Sequence, residues 1–271
     1  MIALWIFVAL FAGLLSLHPD TIILEKILIP PEDQAWLGYD DLGRSIAERL
    51  ILGARTSFLV AFCVVSISFV LGTAVGVMAA WFGGWWDKMT VLVIDIFIAF
   101  PGILLAIALS GLLGPGIMNV VVALSVVGWV GFARLARAQT LTMKHRDHVM
   151  AAQALGTETR QIALIHILPL IIAPLVIEAT FAIAGTVIAE ASLSFLGLGV
   201  QPPNPSWGSM IRDGTRFMLV APHMVLAPGM AILLVVLSIN LLGDNLRDRM
   251  DVRSRHAKFN REDARQSLQE G

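Results

Sequence analysis

Three carboxylates and an amide stand inside strongly apolar stretches of the chain. A carboxylate at the centre of a membrane helix costs about 2.5–3.5 kcal/mol on insertion scales, so its side chain should face protein or water. Glu178 lies deep in one such stretch and Glu190 near its far end, and both are candidates for lining a polar pathway. The alternatives are a buried hydrogen bond for Glu178 and packing of the adjacent loop for Glu190. Asn119 is a third candidate for lining the pathway, although membrane asparagines more often form hydrogen bonds to a neighbouring helix. Asp95 fits a position at the membrane interface.

The histidines raise the question of a metal site. His145 and His148 are spaced i, i+3 and would share one face of a helix. Lys144 and Arg146 flank them, however, and cationic repulsion disfavours a metal there. The single Cys63 provides no multi-cysteine site, so no bound metal is predicted.

The sequence also lacks the residues that nucleotide hydrolysis or covalent catalysis usually requires. The sequence contains no G-x-x-x-x-G-K-[ST] phosphate loop, so any ATP that drives this protein is hydrolysed by another chain. An intramembrane enzyme would need paired aspartates or a Ser/His pair at one depth, whereas Asp95 is the one Asp clearly inside an apolar stretch. No catalytic residue is predicted. An intramembrane enzyme and a passive channel remain as remote alternatives.

Composition identifies the elements that must position these side chains. Of the 271 residues, 57% are hydrophobic and 14% are charged, with a mean hydropathy of +0.79. Soluble domains carry about 45–50% apolar and about 25% charged residues, so the chain is expected to be an all-α, polytopic membrane protein. The net charge of −1 gives no indication of a nucleic-acid partner.

Six apolar segments are predicted to cross the membrane, since a bilayer core needs about 20 apolar residues per helix. They are Ile2–Leu17, Ser57–Trp81, Met89–Leu112, Ile117–Phe132, Leu168–Ala189 and Met224–Leu242. Glycines in the fourth segment, Gly128 and Gly131, favour close packing between helices.

Lysine and arginine placement predicts the orientation. The segment after the fourth span and the tail after the sixth are both basic, which places both of them and both termini in the cytoplasm. The predicted organisation is a first membrane helix (1–18), an external loop (19–56), a five-helix core (57–243) and a cytoplasmic tail (244–271). Within the core, residues 134–168 form a cytoplasmic loop and residues 192–223 an external one.

The segment MAAQALGTETRQIALIHILP, Met150–Pro169, interrupts the apolar pattern and is called the elbow below. Its first part is rich in helix-forming alanine, and Gly156 then falls where a helix ends in the left-handed conformation. Thr157 is a natural N-cap for a second helix, with Glu158 in its first turn. A helix–Gly–helix of this polarity is typical of a docking surface, although an ordinary connecting loop is the alternative.

The elbow resembles the EAA loop of ABC-importer permeases, whose pattern is EAA, three residues, Gly, nine residues and I-x-L-P. Matching positions are occupied by Ala151, Ala152, Gly156, His166, Leu168 and Pro169. Met150 stands where the family has Glu, and Leu170 where it has Asn. The resemblance implies that Ala151, Ala152, Gly156, Thr157, His166 and Pro169 form a coupling surface for an ATPase subunit.

Three further stretches resemble the C-type permeases of the dipeptide, oligopeptide and nickel importers. They are WLGYDDLGRSIAERLILGARTSF from Trp36, EASLSFLGLGVQPPNPSWGSMIRDG from Glu190 and LSINLLGDNLRDRMD from Leu237. The resemblance implies the six-helix fold of MetI-like permeases in a bacterial or archaeal cytoplasmic membrane. It also implies a homologous second permease, two ABC ATPases that hold ATP and Mg²⁺, and an extracytoplasmic binding protein, with no cofactor on this chain. The implied substrate is a di- or oligopeptide, with nickel or a nickel chelate as the alternative.

Overall fold

The computed structural model describes residues 1–15, 17–32 and 35–250, and within these the fold is all-α, as predicted, with no β-strand beyond isolated bridges. The helices are α1 (Ile2–Phe11), α2 (Ile46–Phe82), α3 (Gly84–Ala99), α4 (Gly102–Leu113), α5 (Ile117–Met143), α6 (Asp147–Ala154), α7 (Thr159–Gln161), α8 (Leu168–Phe195), α9 (Trp207–Thr215) and α10 (His223–Met250). Residues 251–271 of the predicted cytoplasmic tail lie outside the described residues.

Four of the described helical segments are long and apolar enough to cross a membrane. They are α2, α5, α10 and the continuous segment Thr159–Phe195, which includes α8. The predicted second, fourth, fifth and sixth spans all fall on these helices. Each helix extends beyond its predicted span, because helix-forming sequence continues past the apolar stretch.

The third predicted span, Met89–Leu112, is wrong as a single helix. It is divided into α3 and α4, which meet at an angle of 88°. Pro101 causes the break, since proline lacks an N–H donor and disfavours helical backbone at the preceding residue. Phe100 is accordingly extended, with φ −95° and ψ 138°.

The first predicted span, Ile2–Leu17, is also wrong in length. Helix α1 ends at Phe11 and continues only as a 3₁₀ turn, Ala12–Leu14. At 1.5 Å per residue, α1 is about 15 Å long, roughly half of a hydrocarbon core. The structure therefore has up to five candidate spans among its described residues when the bent pair counts as one.

The predicted external loop 19–56 ends earlier than expected, because α2 already begins at Ile46. The Ser45 hydroxyl accepts a hydrogen bond from the amide of Glu48, which is the usual N-cap geometry. Helix α9 lies within the other predicted external loop. It begins with a capping box in which Ser206 and Ser209 exchange hydrogen bonds, and its buried Trp207 donates to the carbonyl of Leu50 at 3.0 Å.

The centre of the fold is the contact between α2 and α5. A methyl group added at Gly72 would lie 2.3 Å from the Trp129 carbonyl oxygen, and one at Gly76 would lie 2.2 Å from that of Ala133. These distances show that the two backbones touch where α2 carries glycine. The spacing of the two glycines is the small-xxx-small pattern of closely packed membrane helices.

An ion network fixes the predicted external loop to the start of α2. Asp40 accepts from the Arg44 guanidinium at 2.7 Å, and the buried Arg49 lies 3.6 Å from the same carboxylate. Asp41 is less well accommodated, with Arg44 at 3.7 Å and one buried carboxylate oxygen lacking a hydrogen-bond partner among the described residues.

This arrangement predicts a pH-dependent effect of Asp41→Asn. Burial, and secondarily the Asp40 carboxylate, raise the pKa of Asp41 above its ordinary value, against the opposing effect of Arg44. The native state therefore binds the proton more tightly than the unfolded state, and stability is lost as pH rises through the native pKa. We expect the variant to melt about 1 °C higher than the wild type at pH 8, with no gain near pH 4. Melting curves in detergent at the two pH values test this, and a lower melting temperature at pH 8 would contradict it.

Candidate functional site

Helix α6 forms the first half of the elbow and is held by its inward face. Val149 and Ala152 are buried and pack in one cluster with Ile162, Ile167 and the α5 residue Phe132. The cluster joins α6, the second half of the elbow and three long helices, α2, α5 and α8. The elbow is therefore a rigid extension of the helix bundle rather than a loose connection.

Gly156 ends α6 in the left-handed conformation that the sequence predicted, with φ +77°. Its amide donates to the carbonyl of Gln153 at 3.0 Å, and the amide of Thr157 donates to that of Ala152 at 3.1 Å. These two bonds make a Schellman motif, which satisfies the last carbonyls of the helix. The chain reverses direction here because glycine adopts this backbone without steric cost.

The second half of the elbow differs from the prediction at its start. The N-cap of α7 is Glu158 rather than Thr157, and no side-chain capping bond forms. The N-cap prediction for Thr157 was wrong because its backbone still belongs to the Schellman motif that ends α6, and the second helix begins one residue later. The helix then widens into a π-helix, Ile162–Ile167, directly before α8. Pro169, in the first turn of α8, cannot donate to the preceding turn, and the wider turn accommodates it.

The outward side of α6 is an apolar surface exposed to solvent, called the elbow face. Leu155 is 86% exposed and Met150 is 49% exposed. Ala151 and Ala154 are also exposed between them. Met150, which replaces the glutamate of the EAA pattern, therefore contributes a flexible apolar side chain to this surface.

His166 is half-buried in the π-helix, and its ring centroid lies 6.4 Å from that of His148 on α6. The sequence did not indicate this pairing, because His148 was considered with His145. Among residues 1–15, 17–32 and 35–250, no three His, Cys, Asp or Glu side chains approach closely enough to hold a metal.

Two cationic side chains at the end of α5, before the elbow, connect this helix to α3 and α2. Arg137 on α5 makes a two-pronged ion pair with Asp87 on α3, at 2.5 and 2.7 Å. Lys144 donates to the carbonyl of Ala80 at the end of α2, at 3.0 Å. Nothing local in the sequence reveals these two partners, because Asp87 and Ala80 lie far from Arg137 and Lys144 along the chain.

The three candidate pathway residues lie in different surroundings. Glu178 is half-buried, and one carboxylate oxygen lies 3.2 Å from where a Cβ on Gly131 would be. Glu190 is 1% exposed and accepts hydrogen bonds from Ser57 at 3.0 Å and Ser194 at 2.8 Å. Ser194 in turn accepts from the amide of Val200, so Glu190 ties α8 to α2 and to the external loop.

The side-chain amide of Asn119 makes its hydrogen bonds within the chain. It donates to the carbonyls of Leu113 and Gly114, at 2.9 and 3.0 Å, and so satisfies the end of α4. Glu178 is therefore the one candidate of the three for which the described residues provide no hydrogen-bond partner.

Comparison with known proteins gives consistent matches. Residues 72–256 match the model of the family "Binding-protein-dependent transport system inner membrane component". The chain is 40% identical over 253 residues to the dipeptide transport system permease protein DppC of Alkalihalophilus pseudofirmus, covering 93% of this chain and 83% of that protein. It is 42% identical over 221 residues to the glutathione transport system permease protein GsiD of Escherichia coli O1:K1, covering 82% and 73%.

The fold resembles that of a solved structure. A chain of the inward-facing MetNI methionine ABC transporter superposes with a TM-score of 0.61 at 20% identity, covering 74% of this chain and 96% of that one. At this identity the match concerns the fold alone.

Proposed function

The chain belongs to the family of binding-protein-dependent inner membrane transport components, as an ABC importer permease of the peptide and nickel type, and from this premise we propose its place in the importer. It forms the translocation pathway together with a second, homologous permease. Two ATPase subunits bind at the cytoplasmic side and hold ATP and Mg²⁺, and a binding protein delivers substrate from outside. The chain itself is a transport subunit without an ATP site.

The elbow face is the observation that carries this proposal. Met150 and Leu155 expose apolar side chains on a short helix whose other side is anchored by Val149 and Ala152. Exposed apolar surface of this kind marks an interaction site. Because the elbow packs in one cluster with residues of α2, α5 and α8, a partner that displaces it would move the long helices as a unit.

The external side offers a second apolar surface for the binding protein. At the end of α9 the chain exposes Met218, Leu219 and Val220 in a row, and Leu219 has no contact that covers its side chain. The buried Trp207 holds α9 against α2. A partner that binds this loop would therefore act directly on the helix that forms the centre of the fold.

The proposed substrate is a small peptide. The relatives named above are permeases for dipeptides and for glutathione, itself a peptide. Nickel has no comparable support among these relatives. ATP-driven closure of the ATPases would move the elbow, and rocking of the two permeases would then open the pathway to the outside.

Purification of the chain from its native membranes in mild detergent tests the assembly. We expect a second permease and two P-loop ATPases to co-purify, and identification by mass spectrometry would show them. The elbow variant Leu155→Glu should no longer co-purify with the ATPases, and it should still co-purify with the second permease. Repeated recovery of the unmodified chain alone would contradict the proposal.

A further inference from the structure

Asp95 is an exposed carboxylate within the apolar helix α3. It follows the exposed Trp86 by nine residues, which is about 14 Å along the helix axis and close to half of a hydrocarbon core of about 30 Å. This depth is greater than that of the interfacial position expected from the sequence. A carboxylate so deep in a membrane protein faces protein or water rather than lipid.

Asp95 lies beside the contact between α3 and α5. Its neighbour Ile94 is buried in one cluster with Val130 and Ala133 of α5. Successive residues of a helix are about 100° apart around its axis. Asp95 therefore lies on one flank of the contact, and Val93, which is also exposed, lies on the other.

Arg134 is exposed on the face of α5 between α3 and α8. It follows Val130, which contacts α3, by four residues, and Gly131 by three. Gly131 faces the carboxylate of Glu178 on α8, with an oxygen 3.2 Å from its Cβ position. Residues three and four apart are neighbours on a helix surface, so Arg134 lies next to both contacts.

The direction of α3 places Asp95 on this same side of the bundle. Helix α3 begins beside Arg137 of α5 and ends beside Trp129, so the two helices are antiparallel. In an antiparallel pair of right-handed helices, side chains that directly follow the contact position lie on one side of the pair, whichever helix carries them. Asp95 and Arg134 both follow their contact residues, Ile94 and Ala133.

The side chains of Asp95, Arg134 and Glu178 thus define one open side of the bundle, called the charged flank. Glu178 is half-buried there. The exposed face of α2 is different, because it carries no charged residue between Leu59 and Leu71. An apolar face of this kind is suited to lipid, whereas the charged flank is not.

We propose that the charged flank is the wall of the aqueous translocation pathway in the half of the membrane nearer the elbow, and that the second permease encloses this pathway from the opposite side. This inference rests on the proposed transport function and specifies which surface of the chain the substrate passes. Water in the pathway solvates the three charged side chains. The flank is open while the pathway faces the elbow side, and it closes when the pathway opens to the other side.

The test is the labelling of single cysteines in the complete importer, in inverted membrane vesicles, with a charged, membrane-impermeant methanethiosulfonate. Cys63→Ala removes the native cysteine and provides the background. Asp95→Cys is expected to react at least about tenfold faster than Val93→Cys, because the reactive species is the thiolate and a charge is costly in hydrocarbon. Val93→Cys is the matched control, since Val93 is exposed at nearly the same depth on the other flank of α3.

The state of the ATPases provides the second measurement. Trapping them closed with ATP and vanadate should slow the labelling of Asp95→Cys and leave that of Val93→Cys unchanged. Ala99→Cys keeps the carboxylate and lies one turn further along the same flank, where Ala99 is exposed. It should behave like Asp95→Cys, and it serves as the probe if the loss of Asp95 impairs assembly.

Two results would overturn the inference and leave the proposed function standing. One is an equal labelling rate for the flank cysteines and Val93→Cys, and the other is labelling of the flank that does not change when the ATPases are trapped. An importer that lacks the second permease and the ATPases after purification would overturn the proposed function itself, and this inference with it.

Discussion

Gly76→Ala is expected to destabilise the protein, by up to about 2 kcal/mol, although the same change stabilises most helices. The added methyl group would lie 2.2 Å from the carbonyl oxygen of Ala133, a distance that real structures do not show. The methyl group is attached directly to the α2 backbone and the oxygen belongs to the α5 backbone, so the relief must come from separation of α2 and α5. Overpacking of this kind costs about 1–3 kcal/mol, and it outweighs the gain in helix propensity of about 1 kcal/mol.

The control for this prediction is Gly111→Ala in α4. A methyl group there meets no atom within 4 Å, so the variant should match or slightly exceed the wild type in melting temperature. Gly72→Ala should behave like Gly76→Ala, because its methyl group would lie 2.3 Å from the Trp129 carbonyl. Melting curves of the three purified variants, together with the amount of each variant found in the membrane, test this prediction. A Gly76→Ala protein as stable as Gly111→Ala would mean that the two helices do not touch at this glycine.

Gly156→Val is expected to uncouple ATP hydrolysis from substrate uptake. The left-handed backbone at φ +77° is strongly unfavourable for a β-branched residue, so α6 cannot end in its Schellman motif. The elbow face would then change its orientation, while the long helices stay packed. We expect uptake by the reconstituted importer to fall at least tenfold, with membrane insertion and basal ATP hydrolysis retained.

Gly84→Val provides a matched control for this second prediction. Gly84 also has a positive φ, +58°, and open space around its Cβ position, and it lies in the predicted cytoplasmic connection between α2 and α3. The control introduces the same backbone strain away from the elbow, so its uptake should stay close to that of the wild type. Equal losses in the two variants would show that strain alone is responsible, and unchanged uptake in Gly156→Val would remove the coupling assignment.

The elbow was predictable because its features are local in the sequence. An alanine-rich helix followed by Gly156 is determined by backbone preferences within a few residues, and the structure reproduces both. Thr157 shows the limit of this reasoning. The N-cap is Glu158, because the backbone of Thr157 is still part of the motif that ends the preceding helix.

The sequence by itself determined the all-α class, the apolar segments and the family, since these depend on composition, periodicity and motifs along the chain. Only the tertiary structure decided how α3 and α4 are bent at Pro101, which backbone faces Gly76, and that Ser57 and Ser194 hold Glu190. It also placed Ser68 between α2 and α5 against Gly128, and the Glu178 carboxylate beside Gly131. The physical reason is that close packing depends on the helix that lies opposite, and residues far apart in the chain supply it.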